Sequence, residues 1–272
     1  MMEITPDLIM MAGVLLVSGV AAGLIAGLLG VGGGIVVVPV LFHVFTLLDI
    51  PDAVRMHLAV GTSLATIIPT AISSARSHNK RGAVDWGILK SWAPTVAAGV
   101  IAGSVAAKYS SAAALQILFG VLALFVAFNM ASGRTDKKIA DQLPNEPWRG
   151  LMGGGIGFFS AMMGIGGGTF SVAIMTIFGS PIHRAVGTAS ALGLVIAVPG
   201  ALGFAVSGLG VEGRPPYSIG YISLMAFVFI VPTTVLSAPL GARLAHRLNV
   251  LALKRVFAAF LAVTAIRMFL SV

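Results

Sequence analysis

The chain has 272 residues, of which 57% are hydrophobic and only 10% charged, with a mean hydropathy of +1.00 and a formal net charge of +8. A soluble domain is nearer a quarter charged, so a soluble globular protein is excluded, and with it the basic soluble surface that nucleic acid would need. Cysteine is absent, which removes disulfides and thiolate chemistry and identifies no compartment.

Apolar segments follow one another along most of the length, the pattern of a polytopic helical membrane protein whose main partner is the lipid bilayer. Glu3 and Asp7 precede the first segment without any basic residue, so residues 8–29 read as a first span and not as a cleaved signal peptide. Segments at 35–48, 54–75, 86–107 and 113–131 complete a first half. Residues 133–149, with Arg134, Asp136, Lys137, Lys138, Asp141, Pro144, Glu146 and Pro147, read as a polar cytoplasmic linker. A second half holds segments at 150–163, 169–179, 185–206, 220–242 and 252–271. The chain thus divides into a first transmembrane repeat at 1–132, the linker at 133–149, and a second repeat at 150–272.

A glycine cluster interrupts apolar sequence once in each half. Gly30-Val31-Gly32-Gly33-Gly34 separates the first two segments, and Gly164-Ile165-Gly166-Gly167-Gly168 separates the sixth and seventh. Bare main chain in an oily segment is costly unless its N–H and C=O groups face protein or a wet cavity. The segments beside the second cluster are too short for a straight crossing, so each pair reads as a broken or re-entrant helical hairpin. The clusters lie 134 residues apart, and at that offset Gly19, Gly23 and Gly27 fall on Gly153, Gly157 and Ala161. His57–Thr62 meets His183–Thr188 at an offset of 126, and Pro94, Gly103 and Phe119 meet Pro232, Gly241 and Phe257 at 138. A hairpin returns to its starting side, so each half crosses an odd number of times and the second copy lies inverted.

The charges agree with that topology. With both termini outside, 13 of the 17 basic residues fall in inside connections and Arg55, Lys108, Arg214 and Arg267 outside. Loops that correspond also differ: 76–90 is basic whereas 207–219 is sparsely charged. The fold class is therefore an all-α integral membrane protein of two inverted-topology repeats, each of about five helical segments. Its expected place is the cell (inner) membrane, multi-pass.

Three consecutive glycines make a poor helix interior, so both clusters suggest half-helix N-termini with free N–H groups aimed at an anion. The candidate substrate-binding residues are Gly30, Gly32, Gly33, Gly34, Gly164, Gly166, Gly167 and Gly168. Thr62, Ser63, Thr188 and Ser190, in the recurring Gly-Thr blocks, are added as hydroxyl donors. The stripes Gly19-x3-Gly23-x3-Gly27 and Gly153-x3-Gly157 read as close helix packing, within the chain or between copies, which leaves a homo-oligomer open. Neither cluster has phosphate-loop or dinucleotide spacing. His57 and His183 lie near opposite faces under inversion, so no metal joins them and none is expected. All nine acidic residues stand at ends or in connections, so neither a proton relay nor a membrane hydrolase is supported. No cofactor is expected.

These motifs, Gly23–Gly34 followed by Pro39, Gly157–Gly168, and Val-Gly-Thr at 60–62 and 186–188, resemble the TauE/SafE family of membrane permeases, the sulfite exporter-like proteins. The likeness covers essentially the whole chain, with one departure, Ala173 where the first copy has Pro39. It implies transmembrane transport of a small sulfur-containing anion, such as sulfite, sulfoacetate or a related organosulfonate, often outward. Alternating access, one half moving against the other, is the expected mechanism. A passive anion channel is the nearest rival, and a membrane-embedded enzyme subunit a weaker one, since no span carries a carboxylate, His or Lys at its centre.

Overall fold

A computed structural model describes residues 6–29, 33–132, 140, 142–245 and 250–271. The first half contains α1 (Pro6–Leu29), α2 (Gly34–Leu47), α3 (Asp52–Lys80), α4 (Trp86–Tyr109) and α5 (Ala112–Ser132). The second contains α6 (Trp148–Met163), α7 (Gly168–Ile177), α8 (Ile182–Ser207), α9 (Leu224–Ala245) and α10 (Val250–Leu270). Each expected apolar segment is a helix, because an apolar chain in lipid must satisfy its own N–H and C=O groups. One boundary differs. Residues 220–223, expected within a helical segment, instead belong to a hairpin of β1 (Ser218–Ile219) and β2 (Ile222–Ser223). Gly220 turns it at φ +55°, and Tyr221 N–H donates to Phe204 O at 3.1 Å, tying the hairpin to the end of α8.

Among the described residues five helical stretches are long and apolar enough to cross a membrane: α3, α4, α5, α8 and Leu224–Gly241 of α9. The exterior agrees with a lipid surround. Val17, Phe125, Phe128, Leu202, Leu236 and Val263 are each more than half exposed, an apolar surface too large for water.

At the centre, α3 is buried continuously from Met56 to Ile67 and packs along α8. Gly61 lies against Phe204, Leu64 against Gly200, Ala71 against Gly193, and Ser74 against Ser190, so the two helices run antiparallel. The outer pairs cross between halves. In α1, Gly19 and Gly23 admit Thr233 and Thr234 of α9; in α6, Gly153 and Gly157 admit Thr95 and Val96 of α4. A methyl group at Gly23 would be driven to 2.5 Å from Thr234 O, so only glycine allows this approach. Each half's first helix therefore packs on the other half's fourth. The last helices, α5 and α10, pair with each other, and buried Gln116 Nε2 donates to Met268 O at 2.5 Å.

Candidate solute-binding site

The second glycine cluster is a tight, fully specified turn. Gly164 ends α6 in the left-handed region at φ +69°, with Ile165 N–H donating to Ser160 O at 3.0 Å and Gly164 N–H to Ala161 O at 3.3 Å. These two bonds form the glycine-terminated C-cap that satisfies the last carbonyls of a helix. Gly167, at φ +70°, then starts α7. In the first cluster Gly33 precedes α2, and Gly30 and Gly32 lie outside the described residues. The two turns meet: a Cβ on Gly34 would stand 2.6 Å from Gly164 O and 3.1 Å from Ile165 Cα. Ile67 of α3 touches both, beside Gly34 and, with Cγ2 3.0 Å from the Cβ position of Gly166, beside the second turn. Gly33, Gly34, Gly164, Gly166, Gly167 and Gly168 are all buried, so in this conformation the second turn is enclosed.

The start of α7 is rich in unspent donors. Its first main-chain bond runs from Ser171 N–H to Gly167 O at 2.8 Å, and the N–H groups of Gly166 through Phe170 have no acceptor among the described residues. Three hydroxyls missed in the sequence stand beside them, those of Ser160, Ser171 and Thr169, the last a half-buried residue whose Oγ1 is itself buried and unpartnered. Ser160 and Ser171 are completely buried, and neither side-chain oxygen has a hydrogen-bond partner. Ser160 Oγ lies 3.5 Å from the Cβ position of Gly167, while Ser171, one turn beyond Gly167, shares its helix face. Many helical hydroxyls elsewhere bond back to a carbonyl one turn earlier, as Thr70, Thr95, Thr176, Thr234 and Thr264 do, although Ser104 of α4 is also buried without a partner. The available signal was position: a serine four residues before Gly164 and another four after Gly167, in otherwise apolar sequence.

The Gly-Thr blocks do something different. Thr62 Oγ1 accepts Ser223 N–H at 2.9 Å, and Thr188 Oγ1 accepts Asp85 N–H at 2.8 Å. Ser223 and Asp85 precede α9 and α4 and cap them, Asp85 Oδ1 accepting Ile88 N–H at 3.1 Å and Ser223 Oγ accepting Ala226 N–H at 3.4 Å. Gly61 and Gly187 leave room for Tyr221 O and Ala83 O beside them. Each block thus holds the start of the other half's fourth helix. Ser63 Oγ donates to Gly164 O at 2.7 Å and braces the turn. Ser190 Oγ donates to Val186 O at 2.9 Å and receives Ser74 Oγ at 3.0 Å.

Among the described residues three further buried polar atoms have no partner, His57 Nδ1, Trp92 Nε1 and Ser104 Oγ, and lie on α3 and α4. His57 Nε2–H donates to Ala107 O at 3.0 Å and its ring stacks on Tyr221 at 4.8 Å, whereas His183 is exposed at the start of α8. Among the described residues no three His, Asp or Glu side chains gather to hold a metal. A polar cleft of about 450 Å³ in the α8–α9 connection contains Arg214, whose guanidinium donates to Val211 O at 2.6 Å and Gly220 O at 3.5 Å.

A family model described as "Sulfite exporter TauE/SafE" matches residues 15–268. The chain belongs to the TauE/SafE family. Among its relatives, a "Probable membrane transporter protein" of Haemophilus influenzae is 38% identical, covering 94% of this chain and 97% of the relative. Another, from Methanocaldococcus jannaschii, is 28% identical over 89% of this chain and 90% of its own length. Bacillus subtilis YunE, also named a probable membrane transporter, is 28% identical over 72% of this chain and 78% of its own. No solved structure matches. As a family member the chain is a multi-pass membrane transporter, and its spans, glycine turns and Gly-Thr blocks lie within the matched region.

Proposed function

We propose that the protein moves a small sulfur-containing oxyanion (sulfite, sulfoacetate or a related organosulfonate) outward across the inner membrane by alternating access, with both termini outside. The observation that carries this reading is the N–H array of Gly166–Phe170 at the start of α7, without an acceptor among the described residues, together with the unpartnered buried hydroxyl oxygens of Ser160, Thr169 and Ser171. Buried donors are paired almost everywhere in folded proteins, so a concentration of unpaired ones points to an acceptor that comes and goes. A helix N-terminus adds the positive end of its dipole. The complete burial of the turn suits the occluded stage of a carrier and not an open channel.

We infer that the halves form an inverted repeat. The packing supports it residue by residue: Gly19 under Thr233 corresponds to Gly153 under Thr95, and Gly61 at Tyr221 to Gly187 at Ala83. The corresponding helices α3 and α8 run antiparallel, as copies of opposite orientation require. Between Thr62 and the α3 residue facing Thr188 lie about 14 residues, or about 21 Å of helix, and Ile67 with the glycine turns sits near the middle.

The moving bodies are not the two sequence halves. Because α1 grips α9 and α6 grips α4, each body contains helices from both: α1–α3 with α9, and α6–α8 with α4. The Gly-Thr blocks then fasten the exchanged helix within its body, and the bodies meet along α3 and α8, where the glycine turns touch. Few polar contacts cross that seam, Ser63 to Gly164 O and Ser74 to Ser190 among them.

The test is flux of labelled sulfite, sulfoacetate, sulfate and chloride in proteoliposomes, with and without a pH gradient. Saturable sulfur-oxyanion flux with counterflow is expected. Unsaturable flux without counterflow would make it a channel, and no anion flux in any condition would end the proposal.

A further inference from the structure

We infer that the protein has one anion cradle per chain, formed by Ser160, Ser171 and the first turn of α7, and that this cradle selects a singly charged oxyanion over a doubly charged one. The inference rests on the transport reading for its location and goes beyond it in naming the side chains, the stoichiometry and the charge of the solute. A helix start alone would be no site. Here Ser160 and Ser171 supply independent evidence, since both are completely buried and neither hydroxyl has a partner among the described residues; Ser160 Oγ stands 3.5 Å from the Cβ position of Gly167, and Ser171 lies one helical turn beyond it.

The stoichiometry follows from an asymmetry between the repeats. At the offset of 134 that aligns the glycine clusters, Ser160 corresponds to Ala26 and Ser171 to Val37. The first hairpin therefore brings no side-chain donor to the equivalent turn. Two oxygens on one solute suit two hydroxyls and the intervening amides, which favours an oxyanion over a spherical halide.

The charge preference follows from what surrounds the cradle. Among the described residues the side chains nearest the Cβ positions of the turn are those of Val38, Ile67, Ile156, Ile196 and Ser160, and none is cationic. Only neutral dipoles meet the anion. Their attraction grows in proportion to its charge, whereas the desolvation penalty grows with the square of the charge. A monoanion such as hydrogensulfite or a simple alkanesulfonate is held on better terms than a dianion such as sulfate, so among the solutes proposed above the cradle disfavours sulfoacetate, whose carboxylate adds a second charge at neutral pH.

The experiment is calorimetric binding of methanesulfonate and of sulfate to the purified full-length protein in nanodiscs at neutral pH. One methanesulfonate per chain is expected, with sulfate at least tenfold weaker. Ser160→Ala and Ser171→Ala should each weaken methanesulfonate about tenfold, one lost hydrogen bond apiece. Ser160→Thr, which keeps a hydroxyl, should restore binding, and Thr264→Val, which removes a buried hydroxyl that bonds back within α10, should leave it unchanged. Equal affinity for sulfate overturns the charge preference. Undiminished binding in both alanine variants, two sites per chain, or no binding by the parent protein overturns the cradle. A parent protein that transports in liposomes while ignoring both alanine variants loses the cradle and keeps the function. One that binds methanesulfonate with Ser160 and Ser171 but moves no sulfonate loses the function and keeps the cradle.

Discussion

The hydroxyl of Thr62 receives the main-chain N–H of Ser223, 161 residues along the chain, and both residues are buried. Thr188 and Asp85 repeat the arrangement at the other end of the α3–α8 pair. In each case a side chain of one half satisfies the first residue before a helix of the other, where a missing acceptor leaves a buried N–H unpaired. Thr62→Val and Thr188→Val, which keep the shape and lose the acceptor, should each destabilise the protein by about 1–3 kcal/mol. Thr→Ser should recover most of the loss. Thermal unfolding of the purified variants measures this, and wild-type stability in both valine variants would refute the clasp.

Glycine is required unequally along this chain. A methyl group at Gly61 or Gly187 would be forced into a main-chain carbonyl, Tyr221 O or Ala83 O, which no rotamer change can relieve. Gly61→Ala and Gly187→Ala should therefore prevent correct folding, read as loss of monodisperse protein in detergent. Gly155, inside α6 with nothing near its Cβ position, is the contrast. Gly155→Ala should be neutral or stabilising by up to about 1 kcal/mol through helix propensity.

The turn before α7 depends on backbone conformation as well as space. Gly167 holds φ +70°, where an L-residue costs about 1–2 kcal/mol, and a Cβ would also press on Ile196 Cδ1. Gly167→Ala should insert and fold with reduced stability and reduced flux, and Gly167→Leu should insert while losing transport altogether. Undiminished flux in the leucine variant, measured in proteoliposomes against protein content, would remove the turn from the transport path.

Inversion has a direct chemical test because the chain contains no cysteine. Arg81 and Ile219 correspond at the offset of 138, and both are exposed. Arg81→Cys should react with a membrane-impermeant maleimide only after cells are permeabilised, and Ile219→Cys should react in intact cells. Labelling of both from one side would mean that the copies face the same way.

Much of this architecture was legible in one dimension. Hydropathy located the helical segments because lipid leaves an apolar chain no alternative to helix, and the glycine clusters marked where the helices break. The short hairpin at 218–223 was not legible, since Ile219, Tyr221 and Ile222 continue the apolar run and only the contact of Tyr221 N–H with Phe204 O fixes it outside a helix. Thr62 and Thr188 were marked as candidate solute ligands by their recurrence. They recur because each half must fasten the other, and their hydroxyls already accept main-chain N–H groups. Ser160 and Ser171 attracted no notice because they do not recur.

The sequence by itself determined where the chain's apolar helical segments lie and where they are interrupted. Those properties depend on local composition, and composition is readable along a line. The tertiary structure alone decided that first and fourth helices are exchanged between the halves, that the Gly-Thr blocks clasp them, and that two serines beside Gly167 keep their hydroxyls unspent. Whether a buried polar group is satisfied depends on which distant stretch of main chain is folded against it.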